Sequence, residues 1–296
     1  MTTAAIEVRG LRKSFGKQTV LDALDITVAP GEVFALLGPN GAGKTTIINI
    51  LTTLVHADAG TATVNGFDVS DEAVQVQRRI SLTGQSAAVD DALNATENVV
   101  MFARLAGLGR ADARRRASEL IAQFGLTDAA SRLVRTFSGG MRRRLDLALS
   151  FVVTPEVLFL DEPTTGLDTR SRRDLWDIIR ALAAAGTTVF LTTQYLEEAD
   201  QLADRIAVLH DGRTAALGTA AELKARVGGD TVELHDERGE LLSEIPTDGT
   251  VTDLRRALDA LDEQGADGVV TLRRPTLDDV FLALTSSDSR ALKENA

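Results

Sequence analysis

Residues 38–45 constrain this chain more than any other part of its sequence. They read Gly-Pro-Asn-Gly-Ala-Gly-Lys-Thr and fit the pattern G-x-x-x-x-G-K-[ST]. The apolar run 33–37 before them predicts a short buried strand, and apolar residues at helical spacing follow them. A glycine-rich loop between a strand and a helix N-terminus can turn its backbone N–H groups toward an anion, and the helix dipole favours negative charge there. The segment therefore predicts an α/β fold with a phosphate site at the end of a strand.

Each residue type in this loop has a chemical use. The Lys44 ammonium would reach the β- and γ-phosphates of a nucleotide, and the Thr45 hydroxyl would ligate Mg²⁺. A glycine-rich turn that fits the pattern by chance is the alternative, and the strand and helix around the loop weigh against it. The predicted phosphate-binding residues are Gly38, Pro39, Asn40, Gly41, Ala42, Gly43, Lys44, Thr45 and Thr46. In the following helix, the predicted apolar face consists of Ile47, Ile50, Leu51, Leu54 and Val55.

Two adjacent carboxylates follow a second apolar run. Residues 157–160 read Val-Leu-Phe-Leu, and Asp161 and Glu162 come next. The carboxyl ends of parallel strands form the ligand-binding edge of an open α/β sheet. We expect Asp161 to hold Mg²⁺, directly or through water, and Glu162 to orient and deprotonate an attacking water. An exposed acidic turn is the alternative, and the phosphate loop upstream makes it the weaker one.

The remaining pattern predicts a two-part chain. Apolar strands at 187–191 and 206–209 alternate with helices at 97–125, 141–153 and 174–184, which indicates a mostly parallel sheet covered on both faces. A break at 107–109 interrupts the first of these helical stretches. After residue 218 the pattern changes to a small α+β unit. We predict an α/β P-loop NTPase domain at 1–218, with an antiparallel β subdomain and a helical subdomain at about 86–154, and an α+β accessory domain at 219–296.

The composition of the chain excludes several classes of function. The formal net charge is −11, and residues 219–296 carry 9 basic and 17 acidic side chains, a net of −8. Such an acidic chain lacks the basic footprint of nucleic-acid binding, so we expect no nucleic-acid partner. There is no cysteine, which excludes disulfides and thiolate metal sites. No run of about 18 apolar residues occurs, so we do not expect the chain to cross a bilayer by itself.

Residues 137–142, Phe-Ser-Gly-Gly-Met-Arg, identify a class. Ser138 is a predicted helix N-cap, and Gly139 and Gly140 leave backbone N–H groups uncovered at the helix start, which suits an anion. The segment resembles the signature motif of ABC ATPases, with Phe137 in place of the commoner Leu. The resemblance implies that this motif docks on ATP held by a second copy of the chain, so that two chains enclose two nucleotides head to tail. On its own, Ser-Gly-Gly would be only a flexible capped turn.

The resemblance extends along the chain and assigns further roles. It implies that Phe15 stacks on adenine, that Gln85 contacts Mg²⁺ or water and senses a membrane subunit, and that Asp168 lies in a loop crossing the dimer interface. Gln194 stands where the family usually has a histidine that contacts the γ-phosphate. A glutamine amide can donate a hydrogen bond to phosphate but cannot carry a proton, which leaves Glu162 as the base. The implied catalytic residues are Glu162, Lys44, Gln85 and Gln194, the implied Mg²⁺ ligands are Thr45, Gln85 and Asp161, and the implied nucleotide-binding residues also include Phe15, Gln85, Ser138, Gly139, Gly140 and Asp168.

Residues 136–145, 191–200 and 274–281 look like the daunorubicin-resistance type of ATP-binding subunit. This resemblance implies an ATP- and Mg²⁺-dependent motor that acts as a homodimer and drives export of a drug or natural product. Its partner would be a separate transmembrane permease subunit, with the motor peripheral to the membrane on the cytoplasmic face. The alternatives are an exporter of lipid or glycan cargo, a soluble ABC-type ATPase outside transport, and a regulatory module that holds ATP with little turnover.

Overall fold

The computed structural model describes residues 4–84, 88–263 and 268–285. The chain divides into two compact units, residues 1–217 and 218–296. The strands up to the boundary are β1 (Ile6–Phe15), β2 (Gln18–Val28), β3 (Val33–Leu37), β4 (Ala59–Val64), β5 (Phe67–Asp68), β6 (Ile80–Thr83), β7 (Val157–Asp161), β8 (Thr188–Thr193), β9 (Arg205–His210) and β10 (Arg213–Gly218). The helices of the first unit are α1 (Lys44–Leu51), α2 (Ala73–Gln77), α3 (Ala95–Leu105), α4 (Arg110–Gln123), α5 (Gly139–Ser150), α6 (Thr169–Ala184) and α7 (Leu196–Leu202).

A six-stranded sheet forms the centre of the first unit. Its strand order is β10-β9-β3-β8-β7-β6, and β3, β8, β7, β6 and β9 are joined by parallel pairings. Every residue of β3, β7 and β8 is buried, which explains why these strands read as continuous apolar runs. The rings of Phe34, Phe159 and Phe190 pack across the three strands, with centroid separations of 5.5 and 5.7 Å. The predicted mostly parallel sheet is confirmed.

The register of this sheet brings the predicted site residues to one edge. Leu37, the last residue of β3, lies opposite Thr193, and Asp161, the last residue of β7, lies opposite Thr192. The phosphate loop follows Leu37 and the second carboxylate follows Asp161. Because the strands run parallel, all these segments leave the sheet at its carboxyl edge, where ligands of open α/β folds bind.

A second, antiparallel sheet with the order β2-β1-β4-β5 packs with α1 into the main core of this unit. The Ile47, Ile48, Ile50 and Leu51 side chains of α1 are all buried there. The predicted place of Leu54 on the apolar face of this helix is wrong. The helix ends at Leu51, Thr53 turns to φ 67°, and the Leu54 side chain is 63% exposed.

The helical region consists mainly of α3, α4 and α5. A capping box fixes the start of α3: the Asn94 side chain accepts from the Glu97 N–H and the Glu97 carboxylate accepts from the Asn94 N–H. The predicted interruption at 107–109 is confirmed between α3 and α4. The helix predicted at 141–153 instead spans Gly139–Ser150, because Ser138 caps it and Phe151 leaves helical geometry. The helix predicted at 174–184 starts earlier, at Thr169, where Asp168 caps it.

The second unit has its own small core. It contains α8 (Ala220–Ala225), β11 (Asp230–His235), β12 (Leu241–Thr247), α9 (Val251–Glu263), β13 (Val269–Arg273) and α10 (Leu277–Thr285). The strands form an antiparallel sheet in the order β12-β11-β13. Val232 and Leu234 of β11 pack against Ala257 and Leu261 of α9. Within the described ranges of both units, no helix combines the length and apolar character needed to cross a bilayer.

Candidate functional site

The phosphate loop is held by close backbone contacts at both of its ends. The Gly38 N–H donates to the Thr193 carbonyl at 3.2 Å, and a Cβ on Gly38 would lie 2.7 Å from the Leu209 carbonyl oxygen. Gly43 has φ +105°, and a Cβ there would lie 2.8 Å from the Leu21 side chain. Only glycine fits these two positions, which explains physically why the sequence pattern requires it.

Lys44 is buried under the loop that precedes it. Its ammonium donates to the carbonyls of Gly38 at 2.8 Å and Pro39 at 3.0 Å. It also lies 3.3 Å from Glu162 Oε1, and both side chains are largely buried, at 5% and 11% exposed. The ammonium therefore joins the loop to the acidic pair and has carbonyl partners that a phosphate oxygen could replace.

Thr45 and Asp161 bring two oxygen donors together. The Thr45 hydroxyl donates to Asp161 Oδ2 at 3.0 Å, and the Thr192 hydroxyl donates to Asp161 Oδ1 at 2.6 Å. Hydroxyl and carboxylate oxygens are the donors that Mg²⁺ prefers in proteins, so this pair fits the predicted cation. Thr192 fixes the Asp161 carboxylate with one oxygen turned toward Thr45.

Glu162 has an unusual backbone conformation. Its φ is 48°, in the left-handed region that few residues other than glycine adopt. The backbone N–H donates to both the carbonyl and the hydroxyl oxygen of Thr192, at 3.1 and 3.2 Å. Thr165 donates to Glu162 Oε2 at 3.4 Å. Such conformations persist only where surrounding contacts enforce them, and they concentrate at functional sites.

A cleft of about 400 Å³ joins the phosphate loop to Glu162. A second cleft, of about 230 Å³, lies between the start of α5 and the segment after Glu162, and Glu162 lines both. The first cleft is lined by Val20, Asn40, Gly41, Gly43, Lys44, Thr45, Thr46 and Glu162. The phosphate loop and Glu162 therefore enclose one polar space of a size suited to phosphate groups.

The start of α5 packs tightly against α6. The Ser138 side chain accepts from the Met141 N–H at 3.2 Å, the geometry of an N-cap. A Cβ on Gly140 would lie 2.4 Å from Ser171 Oγ and 2.7 Å from Ser171 Cβ, so glycine is required here by packing. A Cβ on Gly139 would lie 3.6 Å from Leu167, an ordinary contact. The predicted N-cap is present, and Gly139 lines the second cleft.

The other predicted residues are spread around this centre. Phe15 ends β1 with its side chain 51% exposed, and the Lys13 ammonium lies 5.3 Å from its ring centroid. Asp168 caps α6 and accepts from the Ser171 N–H and hydroxyl at 2.9 and 2.8 Å, and these bonds lower the pKa of Asp168. Gln194 follows β8 and is half-buried. Gln85 lies outside the described residues.

Sequence reasoning missed two groups that organise the site. Thr192 was read only as part of a resemblance, although it contacts both carboxylate residues. Arg143 stands in a run of three arginines, a pattern typical of a solvated helix face, yet its side chain is only 10% exposed. A hydroxyl at the end of a buried strand beside the acidic strand could have indicated Thr192, whereas the burial of Arg143 depends on tertiary packing.

Comparison with known proteins decides the family. Residues 21–165 match the family model described as ABC transporter. The chain is 50% identical to the daunorubicin resistance ATP-binding protein DrrA3 of Streptomyces coeruleorubidus, with 100% of each chain covered. This chain belongs to the ABC transporter family. It is also 51% identical to the daunorubicin/doxorubicin resistance ATP-binding protein DrrA of Streptomyces peucetius, over 99% of this chain and 97% of that protein.

Solved structures agree with this placement in the family. The structure of an ATP-binding subunit of an ABC transporter superposes with a TM-score of 0.69 at 25% identity, covering 96% of this chain and 100% of that one. The family and fold predicted from the sequence are confirmed, and the chain is an ABC-type ATPase. ATP is the nucleotide of this family of ATP-binding subunits.

Proposed function

We propose that this chain is the ATP-hydrolysing motor of an exporter, in which two copies enclose two ATP·Mg²⁺ and drive a separate transmembrane permease subunit. The observation that carries the proposal is the contact between Lys44 and Glu162, at 3.3 Å, beside the Thr45–Asp161 pair at 3.0 Å. These four side chains supply a cation for phosphate, a base for water and two oxygen ligands at the carboxyl edge of the sheet. Phosphoryl transfer needs mainly this positioning and charge stabilisation.

Each residue has one task in the proposed reaction. The N–H groups of the phosphate loop and the Lys44 ammonium bind the β- and γ-phosphates. Thr45 and Asp161 hold Mg²⁺, which when bound neutralises charge on the phosphates. Glu162 takes a proton from water as the water oxygen bonds to the γ-phosphorus. The bond between that phosphorus and the β–γ bridging oxygen breaks, and its electron pair leaves with ADP.

Gln194 and Gln85 have supporting roles in this proposal. The Gln194 amide can donate to a γ-phosphate oxygen but cannot accept and return a proton. The proton of the attacking water therefore goes to Glu162. Gln85 completes the Mg²⁺ and water contacts that the resemblance implies. Phe15, with half its side chain exposed at the end of β1, offers a face for the adenine.

The signature segment is the proposed contact with the second copy. The N–H groups at the start of α5, beside Ser138 and Gly139, face an anion in the head-to-tail dimer, with Asp168 in the loop that crosses the interface. Ser138→Asp tests this contact, because aspartate caps a helix as well as serine but places a negative charge opposite the phosphate. In a Glu162→Gln background with ATP and Mg²⁺, we expect the chain to double its mass from 31.6 kDa. The added Ser138→Asp should keep it monomeric, and an undiminished dimer would contradict the proposed contact.

The names of the relatives support the proposed cargo class. Two proteins that are about 50% identical to this chain are named for resistance to daunorubicin or doxorubicin. We therefore propose a drug or another natural product as cargo. The motif chemistry specifies ATP and not the cargo, so export of a lipid or glycan is the alternative. A soluble ABC-type ATPase outside transport, or a regulatory module that holds ATP with little turnover, would be the alternatives to the motor itself.

Membrane fractionation of native cells tests the transport role. The proposed motor sits peripherally on the cytoplasmic face of the membrane, so it should sediment with membranes and stay bound to its permease partner in mild detergent. A hydrophobic polypeptide at equal stoichiometry should accompany it through purification, identified by mass. A chain found only in the soluble fraction, alone or with ribosomes, would contradict the transport role while leaving the ATPase intact.

A further inference from the structure

A buried ion pair lies on α5, directly after the signature segment at residues 137–142. Arg143 Nη1 lies 3.3 Å from Asp146 Oδ2, and the two side chains are 10% and 4% exposed. Burial alone lowers the pKa of Arg143 and raises the pKa of Asp146, and the attraction between the two opposes both changes. Replacing a buried pair of this kind by apolar residues is often neutral or stabilising, so stability is a weak explanation for it.

The remaining hydrogen bonds of the pair reach two other segments of the site. Arg143 donates from Nε to the Pro163 carbonyl at 2.8 Å and from Nη1 to the Gly84 carbonyl at 2.7 Å. Asp146 Oδ1 accepts from the Ala88 N–H at 2.7 Å. Pro163 follows Glu162 in the chain, while Gly84 and Ala88 stand on either side of residues 85–87, which include Gln85.

A second buried carboxylate, Glu198, interacts with the Arg143 charge. Glu198 of α7 is 0% exposed, and Trp176 donates to its Oε1 at 3.2 Å. Burial raises the pKa of Glu198, and the Trp176 hydrogen bond and the Arg143 charge oppose only part of that rise. Arg143 bonds to the backbone at Gly84 and Pro163, and its charge also interacts with the Glu198 side chain.

We propose that Arg143 and Asp146 are positioning residues that set Glu162 relative to the signature segment of the same chain. The inference rests on the proposed function, because it gives Glu162 its catalytic role. Arg143 is anchored on α5 and bonded to the carbonyl of Pro163, so it transmits a displacement of the signature helix to the segment that carries Glu162. A shift of about 1 Å in a catalytic group can cost about a hundredfold in rate.

Two variants separate positioning from simple stability. Arg143→Lys keeps a cation beside Asp146, but a single ammonium cannot match the planar guanidinium that bonds Pro163, Gly84 and Asp146 together. The double replacement Arg143→Met with Asp146→Leu removes both charges and fills the space with apolar atoms. Arg144→Met is the matched control, because Arg144 is the next residue of α5 and donates to the Gly125 carbonyl, at 3.2 Å, away from Gly84 and Pro163.

The assay is ATP hydrolysis by the full chain, with the unfolding midpoint of each variant measured in parallel. We expect both test variants to lower kcat about 10- to 100-fold, with the KM for ATP nearly unchanged and the control near wild type. Wild-type kcat in either test variant that folds with a wild-type midpoint would overturn the inference. The lysine variant decides the outcome if the apolar pair does not fold.

The same ATP hydrolysis assay distinguishes this inference from the proposed function. Wild-type chain and Glu162→Gln are measured alongside the test variants. Equal rates in those two would refute the proposed function. A normal loss in Glu162→Gln together with full activity in the lysine variant would refute only the positioning role.

Discussion

Replacement of Gly140 by alanine should destabilise the first unit, whereas replacement of its neighbour Gly139 should not. The alanine Cβ at 140 would lie 2.4 Å from Ser171 Oγ and 2.7 Å from Ser171 Cβ. Rotation of the serine side chain can move its hydroxyl but not its Cβ, so α5 and α6 must separate. At Gly139 the nearest atom would be a Leu167 methyl carbon at 3.6 Å, which requires no movement.

The expected magnitude follows from overpacking and helix propensity. Overpacking of a well-packed contact costs about 1–3 kcal/mol. Replacing glycine by alanine in a helix returns up to about 1 kcal/mol, and less near a helix end. The net loss for Gly140→Ala is therefore about 1–2 kcal/mol, or about 2–8 °C in Tm for a unit of this size. Gly139→Ala should be neutral or stabilising by up to about 1 kcal/mol.

The assay is unfolding of the nucleotide-free chain followed by the fluorescence of Trp176. This is the single tryptophan of the chain, and it is buried in α6, the helix that carries Ser171, so it reports the first unit and not the second. A Ser171→Gly background removes both clashing atoms and should cancel most of the cost of Gly140→Ala in a double-mutant cycle. Equal midpoints for the two alanine variants, or no relief in the Ser171→Gly background, would refute the packing argument.

Three further predictions test the site. Thr192→Val keeps the shape of the strand residue but removes the hydroxyl that bonds Asp161 and Glu162. We expect a loss of about 1–3 kcal/mol in unfolding free energy and slower ATP hydrolysis, with Thr192→Ser near wild type by urea unfolding and phosphate release. Asp168→Asn still caps its helix but does not titrate. Because the folded pKa of Asp168 lies below its ordinary 3.8, its contribution is present above that value and lost as pH falls through the folded pKa. The stability advantage of wild type over Asp168→Asn should therefore shrink between pH 5 and pH 3 in urea unfolding, and a constant difference would contradict the assignment. Phe15→Ala should weaken ATP binding by about 1–3 kcal/mol, as loss of a stacking aromatic does, with Phe15→Tyr near wild type in fluorescence titration.

The sequence predicted the parts of the site that local chemistry fixes. The structure has a strand at residues 33–37 and the acidic pair at the end of the strand that begins at residue 157, as the pattern predicted. Buried parallel strands are apolar throughout, which makes them visible in the sequence. The glycine spacing of the phosphate loop reflects the backbone geometry that the loop requires. Helix ends were less predictable. Leu54 fits the periodicity of α1, but the left-handed turn at Thr53 ends that helix first.

Contacts between distant segments depend on tertiary packing and strand register rather than on local sequence pattern. Arg143 stands in a run of three arginines, which is more often a solvated helix face, and only the packing of α5 against the segments at Gly84 and Pro163 buries it. Thr192 and Asp161 are 31 residues apart in the chain and meet through strand register. The predicted contacts of Gln85, outside the described residues, stay predictions, as do the catalytic and nucleotide-binding roles of the other site residues.

The central claim is that Glu162 is the base for ATP hydrolysis in a cleft that also binds the phosphates. Phosphate release by the complex purified with the proposed membrane subunit should be compared with the same complex carrying Glu162→Gln, with ATP affinity measured in both. The account predicts a fall in turnover of about 100-fold or more with ATP affinity retained, because the amide keeps the shape of the side chain but cannot take the proton of the attacking water. Equal rates of phosphate release in the two complexes would contradict it.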